Sequence, residues 1–196
     1  MIFETIVITH NAQQQPHISP FGVRYEGEHI VIAPYKPSVT YDNILANQYA
    51  VMNLTDDVRV FAGALTGHTQ WPVVPIALPL MTTVSDGLAG YRLADCLAHK
   101  LLKLIEVRED IERPQLVMKV IESENHQSFQ GFNRAQAAVV ELSILVSRLH
   151  WLPREKVDNE RQYLQIAIDK TAGEGEKMAW QWLIGKIDAY NQNIKE

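Results

Sequence analysis

Cysteine is all but missing from this 196-residue chain, with Cys96 the only one. No intrachain disulfide can form, and no multi-cysteine zinc or iron–sulfur site can be built from this chain alone. A reducing, cytoplasmic setting is the expectation. Several signatures of common chemistry are also absent: there is no G-x-G-x-x-G, no Walker loop, no G-x-S-x-G elbow and no H-E-x-x-H spacing. That removes the local forms of dinucleotide, triphosphate, hydrolase and helical zinc sites. Long apolar runs are lacking too, since the longest, "WPVVPIALPLM", holds three prolines and is too short to span a bilayer. The opening "MIFETIVITH" has no basic n-region and reads as a buried strand. Positive charge is in deficit, 18 Lys+Arg against 23 Asp+Glu for a net charge of −5, so neither a phosphate backbone nor an acidic lipid surface attracts the chain. No nucleic-acid or membrane partner is expected.

What is present is ordinary globular material, 46% hydrophobic and 21% charged, with length for one generous domain or a domain and a small companion. Up to about residue 125, β-branched runs recur at "ETIVITH", "HISPFGVRY", "HIVIAP", "AVMNLT", "ADCLAHKLLKLIEVRE" and "PQLVMKVIESE", bounded by turns such as "YEGE" and "IERP". These candidate strands, six in number, predict a small antiparallel barrel or sandwich over residues 1–125. Two short helical pieces interrupt them, near residues 41–47 and 58–64. Residues 65–90 are rich in proline and glycine yet apolar. Two readings stay open for them: a loop covering an open end of the barrel, or a segment packed on a ligand or a second subunit.

After "ENHQSFQGFN" the apolar period lengthens from two to about 3.6. Phe132, Ala135, Val139, Leu142, Leu145 or Val146 and Leu149 then fall on one helix face. A second helix is predicted from Pro153 to near Gly173, and a third begins with Glu174 and Glu176, where the helix dipole favours acidic residues. Residues 126–196 thus read as a helical appendage with three helices.

The stretch "PYKPSVTYDN" crowds Lys36, Ser38, Thr40 and Asn43 around a helix start, with Thr40 or Ser38 as N-cap. Plain capping explains it, and so does an anion held by free N–H groups, two hydroxyls and an ammonium. In "HISPFGV", Pro20 and Gly22 mark a strand break, either a bulge bending a barrel strand or a place where freed N–H groups meet a flat, acceptor-rich ring. The histidines, at 10, 17, 29, 68, 99, 126 and 150, are scattered singly and read as partnered surface or core residues. No metal site is expected. Arg134, Glu141 and Arg148 recur every seven residues, which suits an intrahelical or intersubunit ion-pair ladder, or alternatively an Arg134 that reaches an anion.

"HISPFGV", "PYKPSVTYDNI" and "AVMNLTDD", in that order, resemble the FMN-binding split-barrel superfamily, which includes flavin reductases and flavoredoxin. "GFNRAQAAVVELSILVSRLHWL" resembles, more narrowly, the helical motif of a branch catalogued as a domain of unknown function, found largely in methanogens and methylotrophs. The resemblance implies a mainly β protein: a six-stranded antiparallel Greek-key split barrel followed by a three-helix segment, dimeric, with FMN near the subunit interface. By the same resemblance Ser38, Thr40 and Asn43 face the FMN phosphate and ribityl chain, and Lys36 offsets phosphate charge where flavin reductases often carry arginine. Ser19, Pro20, Phe21 and Gly22 edge the isoalloxazine through main-chain groups, Asn53 supports the site from a neighbouring strand, and Arg134 approaches the phosphate or an anionic substrate.

Three functions follow from this resemblance. The first is a flavin-dependent oxidoreductase, with a reduced nicotinamide docking transiently or a protein redox partner. No side chain stands out as a catalytic acid or base. The second is an FMN-binding electron carrier or accessory protein, linked to pterin-dependent one-carbon metabolism, with no turnover of its own. The third is a dimeric scaffold that has lost its cofactor.

Overall fold

The structure, a computed structural model, describes residues 1–77 and 88–193. Its elements run β1 (Ile2–His10), β2 (Pro16–Glu26), β3 (His29–Ile32), α1 (Val39–Asn47), β4 (Tyr49–Leu54), α2 (Arg59–Thr66), β5 (Val73–Ala77), β6 (Leu88–Leu93), β7 (Ala98–Arg108), β8 (Gln115–Asn125), α3 (Arg134–Val146), α4 (Arg154–Thr171) and α5 (Glu174–Asn193). They divide into two compact units, Met1–Thr55 with Trp71–Ser128, and Asp56–Gln70 with Phe129–Glu196. Residues 56–70, which the sequence reading put with the barrel, cluster with the helices.

In the first unit the strands expected from β-branched runs close into a barrel in the order β1-β2-β3-β8-β7-β4, every pair antiparallel. Alternation fills it: Val7, Val23, Ile30, Ile32, Met52, Leu102, Leu104, Leu116 and Met118 form one apolar cluster with Tyr41 and Ile44 of α1. Burying each of these larger side chains contributes on the order of 1.5–3 kcal/mol. Gly27, at φ 61°, takes the first position of the two-residue turn joining β2 to β3, where a side chain would be strained. In β7–β8 the register shifts between Leu101 and Leu102 and between Leu104 and Glu106, bending that long pair around the barrel.

Part of the segment expected to be irregular is instead a two-stranded sheet, β5 with β6. Pro75 is tolerated there because, among the described residues, β5 pairs on one side only. The rest of that segment, residues 78–87, lies outside the described residues.

In the second unit Ala135, Ala138, Val139, Leu142 and Val146 of α3 meet Trp180, Leu183 and Ile187 of α5, with Val157 and Ile168 of α4 and Ala62 of α2. Phe132 was expected to open this stripe but is fully exposed. Asn133, extended at φ −109° and accepting the Ala135 N–H at 2.7 Å, caps the helix one residue later and turns Phe132 out of the helical period. α3 ends at Val146, so Arg148 lies beyond it. No ion pair joins Arg134, Glu141 and Arg148 within the chain, because positions two turns apart are too distant for a direct bond.

Candidate anion and strand-edge site

Of the two candidate caps, the structure selects Ser38. Its backbone is extended (φ −145°, ψ 120°), its Oγ accepts the Tyr41 N–H at 3.2 Å, and its carbonyl accepts the Asp42 N–H at 3.1 Å. Thr40 then sits inside the first turn, 1% exposed. Among the described residues the Val39 and Thr40 N–H groups make no hydrogen bond. They are orphan donors of a helix start, at the positive end of its dipole. Asn43 is buried and donates Nδ2 to Thr9 Oγ1 at 3.0 Å, tying α1 to β1. Asn47 adds a second tie, donating to the His10 carbonyl at 2.5 Å.

Lys36 stands at the mouth of this turn but is not alone. Its Nζ lies 3.4 Å from Glu109 Oε2 and 4.6 Å from the centre of the Tyr41 ring, and the Tyr41 hydroxyl donates to Glu109 Oε1 at 3.4 Å. Partial desolvation opposes it, but Tyr41 and Glu109 together hold the Lys36 ammonium above the usual lysine range. Any anion at α1 would share this cation with Glu109. Sequence reasoning missed Glu109 because it is 73 residues from Lys36 and nothing local marks it.

The β2 expectation needs correction. Pro20 and Gly22 do not break the strand: β2 pairs with β1 in unbroken register from Ile2↔Arg24 to His10↔Pro16. The opening is lateral. β3 pairs with β2 only from Glu26 back to Arg24, and among the described residues Pro16 to Val23 have no strand partner on that side. The Glu26–His29 pair closes a two-residue turn and is hydrogen-bonded, so by alternation the even-numbered residues of β2 aim their main-chain groups at the β3 side. Beyond Arg24 those are Gly22, Pro20 and Ile18, and Pro20 offers a carbonyl but no N–H. Ser19 and Phe21 turn theirs toward β1, where the Phe21 carbonyl also accepts the Thr5 hydroxyl at 3.2 Å. The Phe21 ring packs on the barrel core. A Cβ on Gly22 would come within 2.8 Å of Ile2 Cγ2, which accounts for glycine at that place.

Asn53 is fully buried on β4 and committed to main-chain groups. Its Nδ2 donates to the Ile6 and Val51 carbonyls at 3.3 and 3.2 Å, and its Oδ1 accepts the Leu93 N–H at 2.9 Å. It pins β6 to the barrel. Arg134, the first residue of α3, is exposed in the helical unit and makes no ion pair among the described residues. The histidines expected singly include two that folding brings together: His99 Nδ1 and His126 Nε2 are 2.8 Å apart, beside Glu124.

Among solved structures, an FMN-bound protein from Methanosarcina mazei, described as DUF447, has a TM-score of 0.78 to this chain at 18% identity, with 94% of each chain covered. The 2-nitrobenzoate 2-nitroreductase of Pseudomonas fluorescens matches at a TM-score of 0.50 and 17% identity, over 63% of this chain and 64% of that one. No curated protein matches the sequence at a significant level. The family described as protein of unknown function (DUF447) matches twice, its N-terminal domain over residues 3–127 and its other part over residues 133–185, so the chain belongs to the DUF447 family.

Proposed function

We propose that this chain is an FMN-binding flavoprotein and that it uses the flavin as an oxidoreductase of the flavin-reductase kind. One observation carries the reading: in a barrel whose fold is shared with an FMN-bound DUF447 protein, orphan helix donors and an unpaired strand edge occur together, with α1 packed on β1 and β2. The residues fit the cofactor. Val39 and Thr40 N–H groups with the Thr40 hydroxyl suit a phosphate, and Lys36 supplies positive charge beside it. The N–H groups of Gly22 and Ile18 suit the acceptor edge of a flat ring. Asn43 and Asn53 act through others, one holding α1 in place and the other holding β6.

Bound FMN would supply hydride and electron transfer, and the chain would bind and orient it. A reduced nicotinamide is the electron donor we favour, in a cytoplasmic homodimer. The exposed apolar residues Ile2, Phe3 and Tyr25 on the β1–β2 hairpin support a subunit contact.

The test is the visible spectrum of the purified protein, then acid release and mass analysis of any chromophore, then turnover with reduced nicotinamides. Released FMN with turnover supports the whole reading. Released FMN without turnover supports the electron carrier instead. A colourless protein that fails to take up added FMN returns Ser38 and Thr40 to plain capping.

A further inference from the structure

Two imidazoles and a carboxylate converge where β7 begins and β8 ends. His99 is the second residue of β7, Glu124 is its cross-strand partner, and His126 follows just past β8. The His126 main chain is fixed there, its N–H donating to the Leu97 carbonyl at 2.7 Å. One donor atom from each of the three residues lies within 4.8 Å of the other two.

The ring planes of His99 and His126 are 4° apart and their centroids 5.0 Å apart. Stacked rings sit about 3.5 Å apart, so parallel planes bridged by a 2.8 Å nitrogen–nitrogen contact are not stacked. The rings lie nearly coplanar and edge to edge, with two nitrogens facing each other. Between neutral imidazoles that contact needs one N–H and one lone pair. Glu124 Oε1, 3.9 Å from His126 Nδ1, favours the proton on that atom. His126 Nε2 is then the acceptor and His99 Nδ1 the donor. His99 Nε2, buried, has no partner in either tautomer. The cost, about 1–3 kcal/mol for a buried unpaired ring nitrogen, is the same with or without a ligand on Nδ1, so it is the convergence of three donor atoms that points to a ligand.

We propose that His99, Glu124 and His126 bind a divalent transition ion of the zinc class, through His99 Nδ1, His126 Nε2 and a Glu124 carboxylate oxygen, with water completing the shell. Imidazole is a favoured ligand for this class, and three protein ligands with an open position are a familiar zinc set. The ion takes the place of the shared hydrogen, and His99 carries its proton on Nε2 instead. Two zinc–nitrogen bonds of about 2.0–2.1 Å at a tetrahedral angle span roughly 3.3 Å, so the nitrogens must part from 2.8 Å and the His126 ring must turn until both lone pairs converge on the ion. His126, 15% exposed past the strand end, and Glu124, 59% exposed, have room for that movement, while His99 stays put. The ion would tie the start of β7 to the end of β8. This site is independent of the flavin reading.

The experiment is titration of the full chain with Co2+, followed by its visible d–d bands and by competition with Zn2+. A single ion per chain, displaced by Zn2+, is expected. His126→Gln and Glu124→Gln should each weaken binding by at least the ~10–100-fold that losing even an outer partner of a metal ligand costs. His150→Gln, at an exposed histidine of the helical unit, should leave binding unchanged. Circular dichroism checks that the variants keep the fold, which the positions of Glu124 and His126 favour. No d–d band in the unaltered protein, a band undiminished in His126→Gln, or an equal loss in His150→Gln would overturn the site and leave a hydrogen-bonded pair.

Discussion

The barrel unit and the helical unit bury different kinds of side chain. Among the described residues, the helical unit has one buried polar side chain, Ser143, whose Oγ merely returns to the Val139 carbonyl at 2.8 Å. The barrel unit buries Thr5, Thr9, His10, Thr40, Asn43, Asn53 and His99. The reason is geometric. A helix satisfies its own main chain, so helices can meet through hydrocarbon alone. A barrel of unequal strands leaves ladder edges, a helix start and a docked hairpin to satisfy, and side chains such as Asn53 and Asn43 do so. Where the satisfaction is incomplete among the described residues, at Val39 and Thr40 and along β2, a ligand has something to bind.

Mutation separates the two kinds of interior. The largest effect is expected at Trp180, 1% exposed at the centre of the helical core. Trp180→Ala should cost about 3–5 kcal/mol, read as an earlier loss of helical circular dichroism in denaturant. Flavin affinity should stay as in the unaltered protein, and a parallel loss of flavin would erase the contrast. Next is Asn53→Leu, which strands the buried Leu93 N–H. A penalty of roughly 1–3 kcal/mol is expected in chemical denaturation, against almost none for Ser143→Ala. Equal midpoints for the two would show that the barrel's polar groups matter no more than the helical one.

At the anion site, Thr40→Ala should weaken FMN binding by ~1–3 kcal/mol, or about ten- to a hundred-fold. Glu109→Gln should move affinity the other way, because it releases Lys36. With Glu109 68% exposed, solvent screening keeps that gain small. Fluorescence titration of flavin decides both, and unchanged affinity in Thr40→Ala would remove the phosphate from α1. The smallest effect concerns pH. Burial pushes the His17 pKa below its ordinary 6.5, so on acidification the unfolded chain takes up this proton before the folded one. Its stabilising contribution is complete above about 6.5 and is lost as pH falls toward the folded value. His17→Asn should flatten the decline of barrel stability below that pH, and an unaltered slope would clear His17.

Much of this architecture was legible beforehand, and the misses are instructive. "HIVIAP" and "AVMNLT" became β3 and β4 because alternation records which face is buried. The α3 stripe was legible for the same kind of reason, apart from Phe132, which the Asn133 cap excludes. Pro75 suggested an irregular loop, yet a strand paired on one side accepts proline. Pro20 and Gly22 suggested a break, yet the opening came from how short β3 is. The helix start at Ser38 was visible, but not its sharing of Lys36 with Glu109.

The chain's local patterns mark the six barrel strands, the helices and the apolar faces, and narrow the cap of α1 to Ser38 or Thr40, since these rest on interactions within a few residues of chain. Tertiary structure alone decided that β4 closes the barrel between β1 and β7, that β2 keeps an open edge, and that Glu109 reaches Lys36. It also decided that His99 and His126, 27 residues apart, face each other. Each of these depends on strand register and barrel closure, which are set by pairings between distant segments and leave no local mark in the chain.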